Sequence, residues 1–169
     1  MGIKIPVLQV VGFQNSGKTT LVSKLVERVS NTGLSVGTIK HHGHGGEPYF
    51  GDSGKDTERH RLAGASVVCV EGAGSFQITA LHHKWDLTET LSLYRHFELD
   101  VVLIEGYKQE DYPKVVLVRD SADLELLDSV TNIVCVISII PITEPIDFPF
   151  FLRSEERAYM TYLTEQIRG

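Results

Sequence analysis

The chain has 169 residues, of which 42% are hydrophobic, and its formal net charge at pH 7 is −6. A chain of this length and apolar content can bury a real core, so we expect a single domain over residues 1–169. The acidic balance argues against a nucleic-acid-binding protein, which needs a basic surface to neutralise phosphates. The sequence shows no apolar stretch of about eighteen residues and no charged-then-apolar leader, which favours a cytoplasmic protein without a membrane partner.

Short apolar runs alternate with helical patterns along the chain. Strands are predicted at 5–11, 35–40, 66–71, 76–81, 101–105, 115–118 and 133–139, and helices at 17–30, 56–64, 86–97, 121–128 and 154–167. Asp86 and Glu89 form a plausible capping box for the third helix. Several strands are apolar throughout, which is typical of strands covered on both faces. We therefore expect an α/β fold with a mainly parallel sheet and helices on both faces.

The strongest motif lies between the first strand and the first helix. Residues Gly12 to Thr19 read G-x-x-x-x-G-K-T. Glycines let successive backbone N–H groups converge on phosphate oxygens, and the following helix presents its positive end to them. Lys18 can bridge the outer phosphates, and the Thr19 hydroxyl can ligate Mg²⁺. The motif predicts a site for a nucleoside triphosphate formed by Gly12, Gln14, Asn15, Ser16, Gly17, Lys18, Thr19 and Thr20.

A second chemical element is the run of apolar residues that ends in Glu105, a Walker-B-like strand. If this strand lies beside the first one, Glu105 can hold Mg²⁺ or orient an attacking water. We therefore predict Lys18 and Glu105 as the catalytic residues, with Thr19 and Glu105 as metal ligands. Asp56 has two open interpretations, either as the N-cap of the second helix or as a third member of the magnesium shell.

Further candidates stand at predicted strand ends, which face the ligand edge of an open α/β sheet. They are Lys40, Lys108, Arg119 and Asp120. Lys40 can meet a γ-phosphate, and the others are candidates for base, phosphate or partner contacts. The stretch from His41 to Lys55 is glycine-rich, and we expect it to respond to the γ-phosphate as a switch.

The histidine cluster His41, His42 and His44 could bind a transition metal. Two other interpretations stay open, that the histidines are simply exposed to solvent or that they donate hydrogen bonds to an anionic ligand. Cys69 and Cys135 each lie in an apolar run, and both are predicted to be buried, reduced core residues. The residue after Gly12 is Phe13, whereas the phosphate loops of partitioning and arsenite-type ATPases carry a lysine there. No Asn-Lys-x-Asp or Thr-Lys-x-Asp string follows a late strand. The motifs therefore do not identify the base.

A longer series of motifs resembles one family. The series comprises Thr38 to His44, Gly54 to Thr57, Arg59 to Ala65, Ile104 to Lys108 and Val118 to Asp120. In this order, after the phosphate loop, it resembles the molybdopterin-guanine dinucleotide biosynthesis protein B family, firmly over residues 5–120. The resemblance implies a GTPase-type P-loop fold, GTP and Mg²⁺ as ligands, weak GTP hydrolysis and a homodimer.

The resemblance also implies an adapter that assists the guanylyltransferase joining GMP to molybdopterin, and it leaves open whether molybdopterin itself binds, for example at Lys40. Two other classes stay open. A small-molecule kinase or ligase would usually add a basic lid, but the arginines after Arg61 are scattered. A nickel or zinc metallochaperone GTPase would bind metal through His41, His42 and His44. Because no arginine finger is evident, hydrolysis by the isolated protein is expected to be slow. The segment from Pro141 onward is expected only to close the sheet.

Overall fold

The computed structural model describes residues 5–43, 50–82 and 84–168 of the chain. The chain divides into two compact units, one formed by residues 1–43 and 91–169 and the other by residues 44–90. The strands in chain order are β1 Val7–Gly12, β2 Val36–Lys40, β3 Val67–Gly72, β4 Ser75–Ala80, β5 Val101–Glu105, β6 Lys114–Val118, β7 Ile133–Ser138 and β8 Phe150–Leu152. The helices are α1 Lys18–Ser30, α2 Asp56–Leu62, α3 Leu87–Tyr94, α4 Glu125–Ser129 and α5 Glu156–Arg168, with a 3-10 helix at Ser121–Leu124. The expectation of a single domain stays a prediction.

The first unit contains a six-stranded sheet in the order β2-β5-β1-β6-β7-β8. Every neighbouring pair in this sheet is parallel. β5 and β6 are buried at all five positions, as their uninterrupted apolar sequences predicted. The predicted parallel α/β sheet is confirmed, and β8 is an added edge strand that the sequence did not reveal.

Both faces of the sheet are covered. On one face α1 and α5 pack against the strands through buried residues such as Leu25 and Leu163. On the other face the core includes Leu126 of α4 and Val130, with partly buried side chains from the segment that leads to β8. Since β1 lies between β5 and β6 while α1 leads to β2 at the sheet edge, the end of β1 is a topological switch point. Ligands bind at such points in open α/β sheets.

The second unit contains α2 and a separate antiparallel hairpin of β3 and β4. Both strands were predicted, but they do not join the parallel sheet. Cys69 in β3 is exposed, so its predicted burial is wrong, whereas Cys135 in β7 is buried as predicted. The alternation of apolar and polar residues in β4 is the pattern of a strand with one open face.

Two helix starts were predicted from capping signals. At α3 the Glu89 N–H donates to Asp86 Oδ1 over 2.7 Å, and the Asp86 N–H donates to Glu89 Oε2 over 3.1 Å, which confirms the capping box. At α2 the N-cap is Lys55, and Asp56 is the first helical residue, so its prediction as N-cap is wrong. A carboxylate there still complements the positive end of the helix. Among the residues described, no helix is long and apolar enough to cross a membrane.

Candidate nucleotide-binding site

The phosphate loop joins β1 to α1 in the backbone conformation that its glycine-rich sequence predicts. Asn15 and Gly17 have positive φ values of 60° and 91°. The left-handed region costs a glycine little and an asparagine less than most residues. The first helical hydrogen bond of α1 runs from the Leu21 N–H to the Gly17 carbonyl over 3.0 Å. The N–H groups of Lys18, Thr19 and Thr20 therefore precede the helical ladder and can serve an anion.

Lys18 lies across this loop. Its Nζ donates to the carbonyl of Gly12 over 3.1 Å and to that of Phe13 over 2.7 Å. Burial lowers the pKa of Lys18, Glu105 opposes the shift, and the charges of Lys108, Lys40 and Arg119 lower it further. A polyanion in the loop would relieve this repulsion between neighbouring cations.

Thr19 and Glu105 meet at the start of α1. The Thr19 hydroxyl donates to both carboxylate oxygens of Glu105 over 3.0 Å each. The parallel pairing of β1 with β5 places Glu105 opposite Val10, close to the loop, so the predicted neighbouring strand is confirmed. A hydroxyl and a carboxylate are oxygen donors of the kind that Mg²⁺ binds. Thr19 and Glu105 are therefore the pair at this site that could hold the metal.

Lys40 contacts the same two side chains. Its ammonium lies 3.1 Å from Glu105 Oε1 and 3.3 Å from Thr19 Oγ1. The register of β2 on β5, which pairs Lys40 with Glu105, produces this contact. The Lys40 side chain is 60% exposed, whereas that of Glu105 is 10% exposed. An exposed lysine stem is free to move its charge from this carboxylate to a phosphate.

Two further cations surround Phe13. Lys108 Nζ lies 4.4 Å from the centre of the Phe13 ring, and the Arg119 guanidinium lies 5.9 Å from it. Arg119 also donates from Nη1 to the Gln14 carbonyl over 2.9 Å. Buried Asp123 accepts from Arg119 Nε over 2.8 Å and from Nη2 over 2.7 Å. These hydrogen bonds lower the pKa of Asp123 and fix the arginine beside the loop.

Arg153 is the residue at this site that sequence reasoning missed. It follows β8, and its Nη1 donates to the Ser16 carbonyl over 2.7 Å. Its guanidinium occupies the space beside Gly17 where any side chain at that position would lie. The available signal was the apolar run Phe150 to Leu152 before a charged residue, but three residues are too few to distinguish a strand from a loop.

The structure thus brings together most of the predicted site residues. The phosphate loop, Lys18, Thr19, Lys40, Glu105, Lys108 and Arg119 lie within one contact network of the first unit. Within the loop, Gln14 and Asn15 are exposed, as is Thr20 in the first turn of α1, while Ser16 is buried. Asp56 belongs to the second unit and is exposed, so its role in the metal shell stays a prediction.

The histidine cluster is only partly described. His41 contacts Tyr107, with ring centres 4.6 Å apart, while His44 and the middle of the predicted switch lie outside the described residues. In the part of the chain that the structure covers, no group of three His, Cys, Asp or Glu residues could hold a metal ion. The described residues therefore give the metallochaperone interpretation no support.

A parallel sheet with a phosphate loop at its switch point and an acidic residue on the neighbouring strand defines an α/β fold of the P-loop NTPase type. A family model described as "Molybdopterin guanine dinucleotide synthesis protein B" matches residues 7–139. The "Probable molybdopterin-guanine dinucleotide biosynthesis adapter protein" of Bacillus subtilis is 45% identical over 166 residues, which are 97% of this chain and 94% of the relative. The adapter protein of Escherichia coli is 34% identical over 121 residues, covering 70% and 68% of the two chains.

Solved structures agree with these sequence matches. The crystal structure of Bacillus subtilis MobB superposes with a TM-score of 0.83 at 43% identity, covering 96% of this chain and 98% of that one. The MobB homologue from Bacillus stearothermophilus gives a TM-score of 0.80 at 38% identity, covering 96% and 97%. The chain therefore belongs to the molybdopterin-guanine dinucleotide biosynthesis adapter family, as its motif series predicted.

Proposed function

We propose that this protein is a GTP-binding adapter in molybdopterin guanine dinucleotide biosynthesis. It binds GTP with Mg²⁺, hydrolyses GTP slowly, and assists the guanylyltransferase that joins GMP to molybdopterin. The observation that carries the nucleotide site is the loop from Gly12 to Thr19, in which Lys18 spans the loop and Thr19 contacts Glu105. Family membership supports the pathway and the partner.

The charge distribution supports a polyanionic ligand at this loop. Five cationic side chains surround it, namely Lys18, Lys40, Lys108, Arg119 and Arg153. Fewer carboxylates lie among them, namely Glu105, Asp123 and Asp120, which leaves a local surplus of positive charge in a chain with a net charge of −6. A triphosphate with its metal supplies the missing negative charge.

Each proposed role follows from a position in the site. The loop N–H groups and Lys18 would hold the phosphates, and Thr19 with Glu105 would hold Mg²⁺, which would supply positive charge to stabilise the phosphates. We assign to Glu105 a second role, the orientation of an attacking water. Arg119 and Arg153 donate to loop carbonyls, so neither is free to act as an arginine finger without leaving that carbonyl. Slow turnover by the isolated protein follows, because the stabilising charge would have to come from a partner.

We also propose a homodimer formed through the hairpin of the second unit. Val67, Phe76 and Ile78 are 55%, 56% and 55% exposed, and they lie on one face of β3 and β4. An isolated two-stranded hairpin is marginal in water and its edges are open, so a second copy of the same surface is a suitable cover. A separate proposal is that molybdopterin binds to the protein, with Lys40 and Lys108 as candidate contacts for its phosphate.

The proposed function is tested by calorimetric titration of the protein with GTP and with ATP, each with Mg²⁺. We expect GTP to bind more tightly, and Lys18→Ala to weaken its binding by about tenfold to a hundredfold, because Lys18 supplies a charge-assisted hydrogen bond. Arg28→Ala is the matched control, since Arg28 lies near the far end of the same helix and hydrogen-bonds to Thr161 and Thr164 of α5. A preference for ATP would favour the kinase or ligase class, and undiminished binding by a folded Lys18→Ala variant would exclude this loop as the site.

A further inference from the structure

The phosphate loop is held from outside by basic side chains. Arg119 donates to the Gln14 carbonyl over 2.9 Å, and Arg153 donates to the Ser16 carbonyl over 2.7 Å. The two arginines come from the ends of β6 and β8, so they approach the loop from separate elements of the same sheet. Both contacts are to backbone oxygens and not to carboxylates.

This pattern has a geometric consequence for the loop amides. A planar trans peptide directs its C=O and its N–H to opposite sides. The peptide that carries the Ser16 carbonyl also carries the Gly17 N–H, and the peptide of the Gln14 carbonyl carries the Asn15 N–H. When an arginine binds each carbonyl, it turns the N–H of the next residue away from itself. Converging N–H groups are what a phosphate-binding nest requires.

Of the two arginines, Arg153 is held more firmly beside the phosphate loop. Its own N–H donates to the Ser138 carbonyl over 2.7 Å, which ties the residue to the end of β7, the strand next to β8. The guanidinium packs beside Gly17, whose positive φ of 91° only a glycine adopts readily. The absence of a side chain at Gly17 thus allows the positive φ of the turn and also leaves space for the guanidinium.

We propose that Arg153 is a positioning residue for phosphate binding, which holds the Ser16–Gly17 peptide so that the Gly17 N–H faces the ligand before nucleotide arrives. The inference rests on the proposed nucleotide site. It assigns to Arg153 a role in phosphate affinity without a direct contact with the base. Arg119 performs the corresponding task at Gln14, but it also neutralises buried Asp123, so its replacement would mix two effects.

The experiment compares the wild type with Arg153→Ala, Arg153→Lys and Arg157→Ala. Arg157 is an exposed arginine of α5, so its loss removes one positive charge without touching the loop. Calorimetry measures the affinity for Mg²⁺-GTP and for Mg²⁺-tripolyphosphate. If Arg153 preorganises the loop, Arg153→Ala should weaken the binding of both ligands by the same factor, about tenfold. Arg153→Lys, which keeps one donor, should recover part of the loss, and Arg157→Ala should bind as the wild type does.

A spectroscopic measurement separates positioning from direct contact. In ¹H–¹⁵N spectra without nucleotide, Arg153→Ala should shift the Gly17 amide signal, because the Ser16–Gly17 peptide loses its external hydrogen bond. An unchanged Gly17 signal in the free protein would overturn the proposal, as would a loss of affinity for GTP but not for tripolyphosphate. If the wild type itself fails to bind GTP, the proposed function is wrong. If the wild type binds and the Arg153→Ala and Arg153→Lys variants bind equally well, only this inference is wrong.

Discussion

Glu105 is the residue on which the proposed metal site depends. It accepts the hydroxyl hydrogen bond of Thr19 and pairs with Lys40, so its carboxylate is held in place by a helix and by a strand. The oxygens of Thr19 and Glu105 lie 3.0 Å apart, so two oxygen donors of the kind that Mg²⁺ binds are together at the start of α1. In the free protein the Lys40 ammonium supplies the positive charge that a metal would bring.

Glu105→Gln is therefore expected to separate metal-dependent from metal-independent binding. The amide keeps the shape of the side chain but loses the charge that attracts Mg²⁺, so GTP affinity in excess Mg²⁺ should fall by about tenfold. In EDTA the affinity for GTP should be unchanged or higher, because a negative charge beside the phosphates is gone. Glu27→Gln, at an exposed position of α1, is the control. Calorimetry under the two conditions measures the effect, and an equal loss in both would argue against metal ligation by Glu105.

At the scale of elements, the segment that follows β6 forms one side of the phosphate loop. Asp123 is 2% exposed and its carboxylate binds Arg119 through two side-chain hydrogen bonds, with Asp120 as a second nearby charge. Arg119 in turn reaches the Gln14 carbonyl. A buried ion pair of the 3-10 helix thereby fixes a contact of the loop.

This ion pair predicts a pH dependence of stability. Because Arg119 lowers the pKa of Asp123 below its usual value of about 3.9, the pair stabilises the fold fully above that pH, and its contribution is lost as the pH falls through the lowered pKa. Asp123→Asn should cost about 1.5–3 kcal/mol at neutral pH and should flatten the acid limb of the stability curve. Denaturant unfolding from neutral to acid pH measures both. Asp128→Asn, at an exposed position of α4, should change neither the stability at neutral pH nor its dependence on acid pH. If the stability of Asp123→Asn falls with acid pH as steeply as that of the wild type, the assignment is contradicted.

Some elements of the fold could be predicted from the sequence, and others could not. The phosphate loop and the buried strands β5 and β6 were predicted because a strict motif and uninterrupted apolar runs carry local information. The exposure of β3 was not predicted, because the segment from Val67 to Val70 is as apolar as a buried strand. Whether such a strand is buried depends on what packs against it, which the local sequence does not show. Arg153 was missed for a similar reason. Its role arises from β8 pairing with β7 some distance along the chain, which no local pattern encodes.

At the scale of the whole molecule, the second unit presents the surface that most needs a partner. Cys69 and Ile78 are opposite each other in the hairpin, and Val67 and Phe76 lie on the same face. All four are exposed, whereas Val68 on the other face is buried. Glu71, opposite Phe76, is the charged residue of this face. An exposed and largely apolar face of this kind marks an interaction site. The proposed homodimer would bury it against its own copy.

Ile78→Glu is expected to convert the proposed dimer to a monomer, because it would bury an unpaired carboxylate among the apolar side chains of the proposed interface. Leu93→Glu is the control, since Leu93 of α3 is also exposed, at 46%, and lies outside the hairpin. Sedimentation velocity measures the oligomeric state, and alkylation of Cys69 provides a second readout. In a dimer this thiol should react slowly, and in Ile78→Glu it should react about tenfold faster. Cys135 should not be alkylated in the wild type or in Ile78→Glu, because burial raises the pKa of its thiol to about 12. A monomeric wild type with a rapidly alkylated Cys69 would contradict the proposed homodimer, and the guanylyltransferase would then be the first protein to test on this face.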